Sequence, residues 1–216
     1  MAPLLYKKDM SAPCRAVLLT AQAIDLELDF KDVDMLNKEH LEEDFIKLNP
    51  QHAVPVLDDE GFILCESHAI IVYLVSKYAG DDSLYPEDLQ LRSQINHKLH
   101  FDGGVLQNLM RQIIGLFIFE GASSIPEKIV DSVIESYSFL EAFLQDKEWF
   151  VGDSVTLADL SLIPSVTTLN VLVPIDGDAC PKLLEWISRA EELPYYSANS
   201  AGHEELVIFV KNILGA

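Results

Sequence analysis

The 216-residue chain has little cysteine, little positive charge and no long apolar run. Its three cysteines, Cys14, Cys65 and Cys180, are odd in number and far apart. That argues against a disulfide framework and for a reducing compartment. Only 15 residues are basic against 35 acidic ones, a net charge of −20. Without a basic stripe, nothing is available to neutralise a phosphate backbone or an anionic membrane surface. Nucleic acid and membrane are therefore not expected partners, and the acidity reads as a solubility feature. The longest apolar stretches, such as residues 69–75, are too short to span a bilayer. The opening MAPLLYKKDM has no apolar signal core. These absences together predict a cytoplasmic protein. His97 and His100 share a helix face, but no third ligand has suitable spacing, so no metal is expected. There is no internal repeat and no low-complexity tract.

What is present is an ordinary globular composition, 49% hydrophobic and 23% charged, with ample core to bury. Residues 3–6 read as a short strand. Residues 12–24 carry apolar positions at helical spacing. Residues 26–33 alternate apolar and charged, the pattern of a half-exposed strand, and residues 40–48 form a short amphipathic helix. The order continues strand, strand, helix to residue 78. A β-α-β-α-β-β-α order suggests a thioredoxin-like α/β domain over residues 1–80. Residues 81–88 are a linker by composition. Strand signals then fade. Residues 87–119, 126–145, 157–172, 180–192 and 204–214 read as helices, giving an all-α domain over residues 89–216.

The stretch NPQHAVPVLDDEGFILCESHAIIVYLV (49–75) is the most informative. Pro55 cannot donate to a sheet ladder, so it belongs at a strand start or edge. Asp58-Asp59-Glu60-Gly61 is turn chemistry. The following helix opens on Glu66-Ser67, and a helix N-terminus beside such a pair can bind a carboxylate and an amine. Ser11-Ala12-Pro13-Cys14 has the spacing of a C-x-P-C redox motif with serine in the first position. Dithiol exchange needs a thiolate there, so a thiol oxidoreductase is disfavoured. On the residues alone, Ser11 reads as a helix N-cap and Cys14 as buried and inert. Arg111 is the only charged side chain in 103–119 and wants a carboxylate partner, internal or external. Thr156 reads as an N-cap with Asp159 reaching back to it, and Val155 and Leu160 fit a hydrophobic staple. As an ordinary cap, Asp159 would contribute roughly 0.5–2 kcal/mol.

The chain resembles glutathione transferases, and within them the insect epsilon class. The resemblance is carried by KEHL (38–41), NPQHAVPVL (49–57), ESHAIIVYLVSKY (66–78), HFDGGVL (100–106), LADLSLI (157–163) and ELPYY (192–196). It covers essentially the whole chain. It implies a thioredoxin-like N-terminal domain followed by an all-α domain that contributes the electrophile site. It also implies glutathione as co-substrate and detoxifying conjugation of its thiolate to hydrophobic electrophiles. Glutathione-dependent dehydrochlorination or peroxide reduction comes within the same implication, as does a homodimer.

Carried over position by position, the resemblance gives Ser11 the role of hydrogen-bond donor to the glutathione sulfur. Other classes use a tyrosine near the end of the first strand, which makes Tyr6 the competing residue. The glutathione site carries over as His40, His52, Val54, Pro55, Glu66, Ser67, His68 and Arg111. Val54 would offer its backbone beside a cis-proline, and His40 and His52 would face the glycyl carboxylate. Met10, Leu36, Leu106, Met110, Ile114, Phe117, Leu206 and Phe209 are the implied electrophile walls, although apolar residues at helical spacing also read simply as core. Gln107-Asn108 and Gly115 depart from the commoner epsilon pattern, so substrate preference does not carry over. The rival of another class is a non-catalytic carrier using the same cleft for hydrophobic ligands.

Overall fold

The computed structural model describes residues 2–214. Its first part runs β1 (Leu4–Lys7), α1 (Ala12–Ala23), β2 (Asp29–Asp32), a 3-10 turn (Glu39–Leu41), α2 (Glu43–Leu48), β3 (Val56–Asp59), β4 (Phe62–Cys65) and α3 (Ser67–Tyr78). The strands form one sheet in the order β2-β1-β3-β4. β1 and β2 are parallel, while β1–β3 and β3–β4 are antiparallel. This is the thioredoxin-like arrangement that the element order predicts. β3 begins immediately after Pro55, where no ladder N–H is missed. A two-residue loop, Glu60-Gly61, joins β3 to β4 with both φ angles positive, at 55° and 88°. Such a turn matches the twist of the flanking strands. Asp58 Oδ1 accepts from the Gly61 N–H at 2.8 Å and holds it closed.

β2 differs from the expected half-exposed strand. All four of its residues are exposed. It is an edge strand, and charged residues on an edge discourage further pairing.

The helical part runs α4 (Leu89–Phe101), a π-helical turn (Asp102–Leu106), α5 (Gln107–Phe119), α6 (Glu127–Phe143), α7 (Leu157–Leu172), α8 (Pro181–Glu191) and α9 (Ser197–Leu214). The single helix expected over 87–119 is therefore continuous in direction but widened in the middle. Gly103 of this turn faces α3. The His68 ring comes within 3.2 Å of the point where a Gly103 side chain would begin. α9 starts well before the expected residue 204. Its first turns are small or polar and carry no apolar periodicity, yet Asn199 and Gly202 are buried. A side chain on Gly202 would fall 2.0 Å from the Asp9 carbonyl oxygen, so glycine permits this close approach to the loop before α1.

α7 is the centre of the core, buried without interruption from Leu157 to Leu169. A helix that is apolar on every face belongs inside. Its N-terminus carries the capping box that the sequence predicts. Asp159 does more than cap. It is fully buried and accepts from the Thr156 N–H at 3.0 Å, the Thr156 hydroxyl at 3.2 Å, the Phe150 N–H at 3.0 Å and Trp186 Nε1 at 3.0 Å. Burial pushes its carboxyl up to about 6, so it is the ionised acceptor at neutral pH. The ordinary-cap figure is corrected upward for that reason.

One hydrophobic cluster takes in α1 and α3 together with the helical part, and α7 packs directly on α1. A smaller cluster of Val33, Phe45 and Val56, flanked by Tyr6, lies on the other side of the sheet.

Candidate glutathione site

Two loops and two helices build one cleft of about 620 Å³. The loop before β3 contributes Asn49, Gln51, His52, Ala53, Val54 and Pro55. The turn before α2 gives His40 and Leu41, the start of α3 gives Glu66 and Ser67, and α5 gives Gln107, Arg111 and Phe119. Seven of the residues named from sequence are thus brought together: His40, His52, Val54, Pro55, Glu66, Ser67 and Arg111.

Each arrives by a local cause. The Val54–Pro55 peptide bond is cis. Asn49 is buried and braces the loop, its amide donating to the Ala53 carbonyl at 2.8 Å and its oxygen accepting from the Gln51 N–H at 3.0 Å. His52 and Glu66 hold positive φ angles of 46° and 72°. Such conformations cost on the order of 1–3 kcal/mol in a side chain other than glycine and mark functional turns. At Glu66 the backbone turns directly into α3, with Ser67 as the first helical residue. Ser67 is buried and Glu66 is exposed, which suits binding a carboxylate at the floor and an amine at the rim.

His40 and His52 lie with ring centroids 6.3 Å apart. Burial, and then the neighbouring His52, holds the His40 imidazole below its ordinary value. His40 Nδ1 is buried without a hydrogen-bond partner. Neutral imidazole can still donate to a carboxylate. Arg111 has no ion-pair partner among the described residues. No internal carboxylate pairs with it among the described residues, and its exposed side chain lines the cleft instead.

Ser11 is half-buried at the N-cap of α1, in extended conformation. It therefore holds the N-cap position read from the sequence, its carbonyl accepting from the Arg15 N–H at 3.0 Å, but its side chain makes no capping hydrogen bond. It does not itself line the cleft, but Pro13 in the same turn does. Cys14 is fully buried, and burial pushes its thiol up to about 11, as an inert cysteine requires. Tyr6 is committed elsewhere. Its ring packs edge-on against Phe45 at 6.2 Å, with Lys31 Nζ 5.3 Å from its centroid.

His68 is not among the cleft-lining residues. Its Nε2 lies 2.8 Å from Asp102 Oδ2 and 2.9 Å from Ser161 Oγ, and the Ser161 hydroxyl donates to the same carboxylate oxygen. Its side chain therefore ties α3 to the π-turn and to α7, and it is not brought to the cleft with the other residues named from sequence. Gln107 joins the two regions, donating to Asp102 at 3.3 Å while lining the cleft.

The implied electrophile walls are not brought to the cleft. Leu106, Met110, Phe117 and Leu206 are core residues, and Met10 and Phe209 pack partly buried against that core. Ile114 is half-buried, and Leu36 is 72% exposed. The cause is the simple one, that apolar residues at helical spacing pack inward. Phe119, not named from the sequence, lines the cleft with 84% of its surface exposed. Nothing in the sequence separates Phe119 from the other apolar residues at the end of α5; its exposure and its place at the cleft mouth appear only in the structure.

Among the described residues, no group of three or more His, Cys, Asp or Glu side chains is placed to hold a metal ion. No helix of the described residues is long and apolar enough to cross a membrane.

Comparison with known proteins agrees with this geometry. Residues 5–82 match the model of the glutathione S-transferase N-terminal domain, and residues 110–194 match that of the C-terminal domain. Glutathione S-transferase 1 of Manduca sexta is 40% identical over 208 residues, covering 95% of each chain. An epsilon-class glutathione S-transferase from the housefly Musca domestica superposes with a TM-score of 0.95 at 44% identity, covering 98% of each chain. A glutathione transferase homologue from Drosophila mojavensis, solved with bound glutathione, superposes with a TM-score of 0.94 at 44% identity, over 97% of this chain and 96% of that one.

Proposed function

The chain belongs to the glutathione S-transferase family, and on that premise we propose that it adds the glutathione thiolate to electrophilic carbon in hydrophobic substrates, detoxifying them. The observation that carries this reading is the single cleft in which Glu66, Ser67, His40 and His52 meet Arg111 and Phe119. In it, residues 1–80 bind glutathione, 81–88 link, and 89–216 supply the electrophile side. Glu66 takes the γ-glutamyl amine. Ser67 and the free N–H groups of α3 take its carboxylate. The Val54 backbone holds the cysteinyl unit beside the cis-proline. His40 and His52 donate to the glycyl carboxylate, and Arg111 adds positive potential at the mouth. Ser11 and the N-terminus of α1 stabilise the sulfur as thiolate. The sulfur attacks the electrophilic carbon as the leaving group departs, or as the acceptor double bond takes up a proton. The same thiolate can serve glutathione-dependent elimination or peroxide reduction. A panel of electrophiles, chlorinated substrates and hydroperoxides, each with and without glutathione, tests the reading. Binding of hydrophobic ligands without turnover of any of them would favour the carrier instead.

Recognition should show in Glu66→Ala. Loss of a charge-assisted hydrogen bond worth about 1.5–3 kcal/mol should raise the glutathione Kd by roughly 10–150-fold. Calorimetric titration measures this, and the KM for the electrophile should hardly move. Equal losses for both substrates would indicate a damaged fold.

The same reading includes a symmetric homodimer in the cytoplasm. Phe62 on β4, Leu89 and Leu91 on α4, and Ile134 and Phe139 on α6 are exposed apolar side chains of the kind that interfaces cover. Light scattering at micromolar concentration should give twice the 24.2 kDa chain mass. A monomer alone at that concentration would contradict it.

A further inference from the structure

Arg15 is a fully buried arginine to which the proposed chemistry gives no role. It lies on α1 one turn inside Ser11, and its backbone N–H donates to the Ser11 carbonyl at 3.0 Å. Its guanidinium runs between α1, α7 and α9. Nη1 donates to Asn199 Oδ1 at 2.5 Å, and Nη2 to Thr168 Oγ1 at 2.5 Å and the Pro164 carbonyl at 3.5 Å. Nε has no partner. Every acceptor is neutral, and no described carboxylate forms an ion pair with this group.

The titratable groups around it leave its charge uncompensated. On the loop before α1, the Asp9 carboxylate is taken by Lys7 at 2.6 Å, and Lys7 also holds Asp32 at 2.7 Å. On α1, Cys14 is a neutral thiol because burial raises it. Before α9, burial likewise keeps the Tyr196 phenol neutral. On α9, burial and then Arg15 itself lower His203, so it is neutral too, and Glu204 beyond it is exposed. α7 offers only Thr167, Thr168 and the Pro164 carbonyl. Burial pushes the guanidinium down only to about 10, so it is protonated at neutral pH.

A buried charge without a counterion is a standing cost to stability. A carboxylate at position 199 would remove that cost, yet the neutral isostere asparagine stands there. We propose that Arg15 is an electrostatic support for the glutathione thiolate: a deliberately unpaired positive charge, one turn of α1 behind Ser11, that adds to the helix N-terminus in holding the sulfur ionised. The inference depends on the reading that the sulfur sits at Ser11. It makes Arg15 a positioning residue of the field, with no contact to substrate. A unit charge on the order of 10 Å from the sulfur, at an effective dielectric of roughly 20–40, lowers a thiol pKa by about half to one pH unit.

The test is Asn199→Asp, which keeps the acceptor and shape at Nη1 while supplying the missing counterion. The pKa of bound glutathione, read from the ultraviolet thiolate band against pH, should rise by about half to one pH unit. Thermal stability should hold or increase, and glutathione Kd should stay within about twofold. Arg15→Lys keeps the charge and should keep the wild-type midpoint. Because Asn199→Asp retains the acceptor at Nη1 and gives up only the long 3.5 Å contact from Asn199 Nδ2 to Thr167 Oγ1, it decides the question even where Arg15 variants fold poorly. A merely structural Arg15 would leave the midpoint of Asn199→Asp unchanged, and that result overturns the inference alone. Wild-type protein that binds glutathione without ionising it at neutral pH would overturn the Ser11 reading, and this inference with it.

Discussion

Asp159→Ala should lower the stability of the folded protein by about 3–5 kcal/mol, more than the loss of a helix cap. The reason is the number of donors left behind. The Phe150 and Thr156 N–H groups and Trp186 Nε1 all point at this carboxylate at 3.0 Å, and all belong to buried residues. Each buried donor without a partner costs about 1–3 kcal/mol, and the surroundings relax only in part. For a chain of this size the melting temperature should fall by on the order of 10 °C. Thermal unfolding with and without glutathione checks the prediction. Protein that remains folded at low temperature should keep its glutathione affinity, because Asp159 lies in the buried first turn of α7 and not in the cleft. An unchanged melting temperature with lost binding would contradict the structural assignment.

Ser11→Ala should cut conjugation at neutral pH by about 10–100-fold while leaving glutathione bound. A hydrogen bond to a charged group contributes about 1.5–3 kcal/mol, which for a thiolate is roughly 1–2 pH units of ionisation. The γ-glutamyl and glycyl contacts proposed above do not involve Ser11, so the Kd for glutathione should change little. Turnover at saturating glutathione, together with equilibrium binding, separates the two effects. The account predicts a hydrogen-bond donor at Ser11 and not a covalent nucleophile. A trapped covalent adduct on Ser11 would contradict this assignment.

Much of the first part of the fold was legible because its signals are local. Pro55 and Glu60-Gly61 fix the ends of β3 and β4, and the Glu66-Ser67 step fixes the start of α3. The cleft residues from 49 to 67 follow from those few turns. What was not legible depends on contacts across the chain. The direction of the His68 side chain is set by Asp102 and Ser161, on two other helical elements. The reach of Asp159 to Trp186 spans two helices. The early start of α9 depends on Asn199 and Gly202 packing against Arg15 and Asp9, and neither carries an apolar signal. The apolar residues of α5 illustrate the remaining difficulty. Periodicity shows that Met110 and Phe117 share a face, but only the packing of α6 and α7 decides that this face is core.

The most direct measurement is the pH–rate profile of wild type and Ser11→Ala with one chromogenic electrophile at saturating glutathione. The profile reports the ionisation of the bound thiol. The wild-type midpoint should lie well below the ordinary thiol value of about 8.5, and the Ser11→Ala midpoint should lie roughly 1–2 pH units higher. The two rates should converge at alkaline pH, where bulk ionisation supplies the thiolate. A shared midpoint with a constant gap in rate at every pH would contradict Ser11 as the thiolate's hydrogen-bond donor and move Tyr6 to first place.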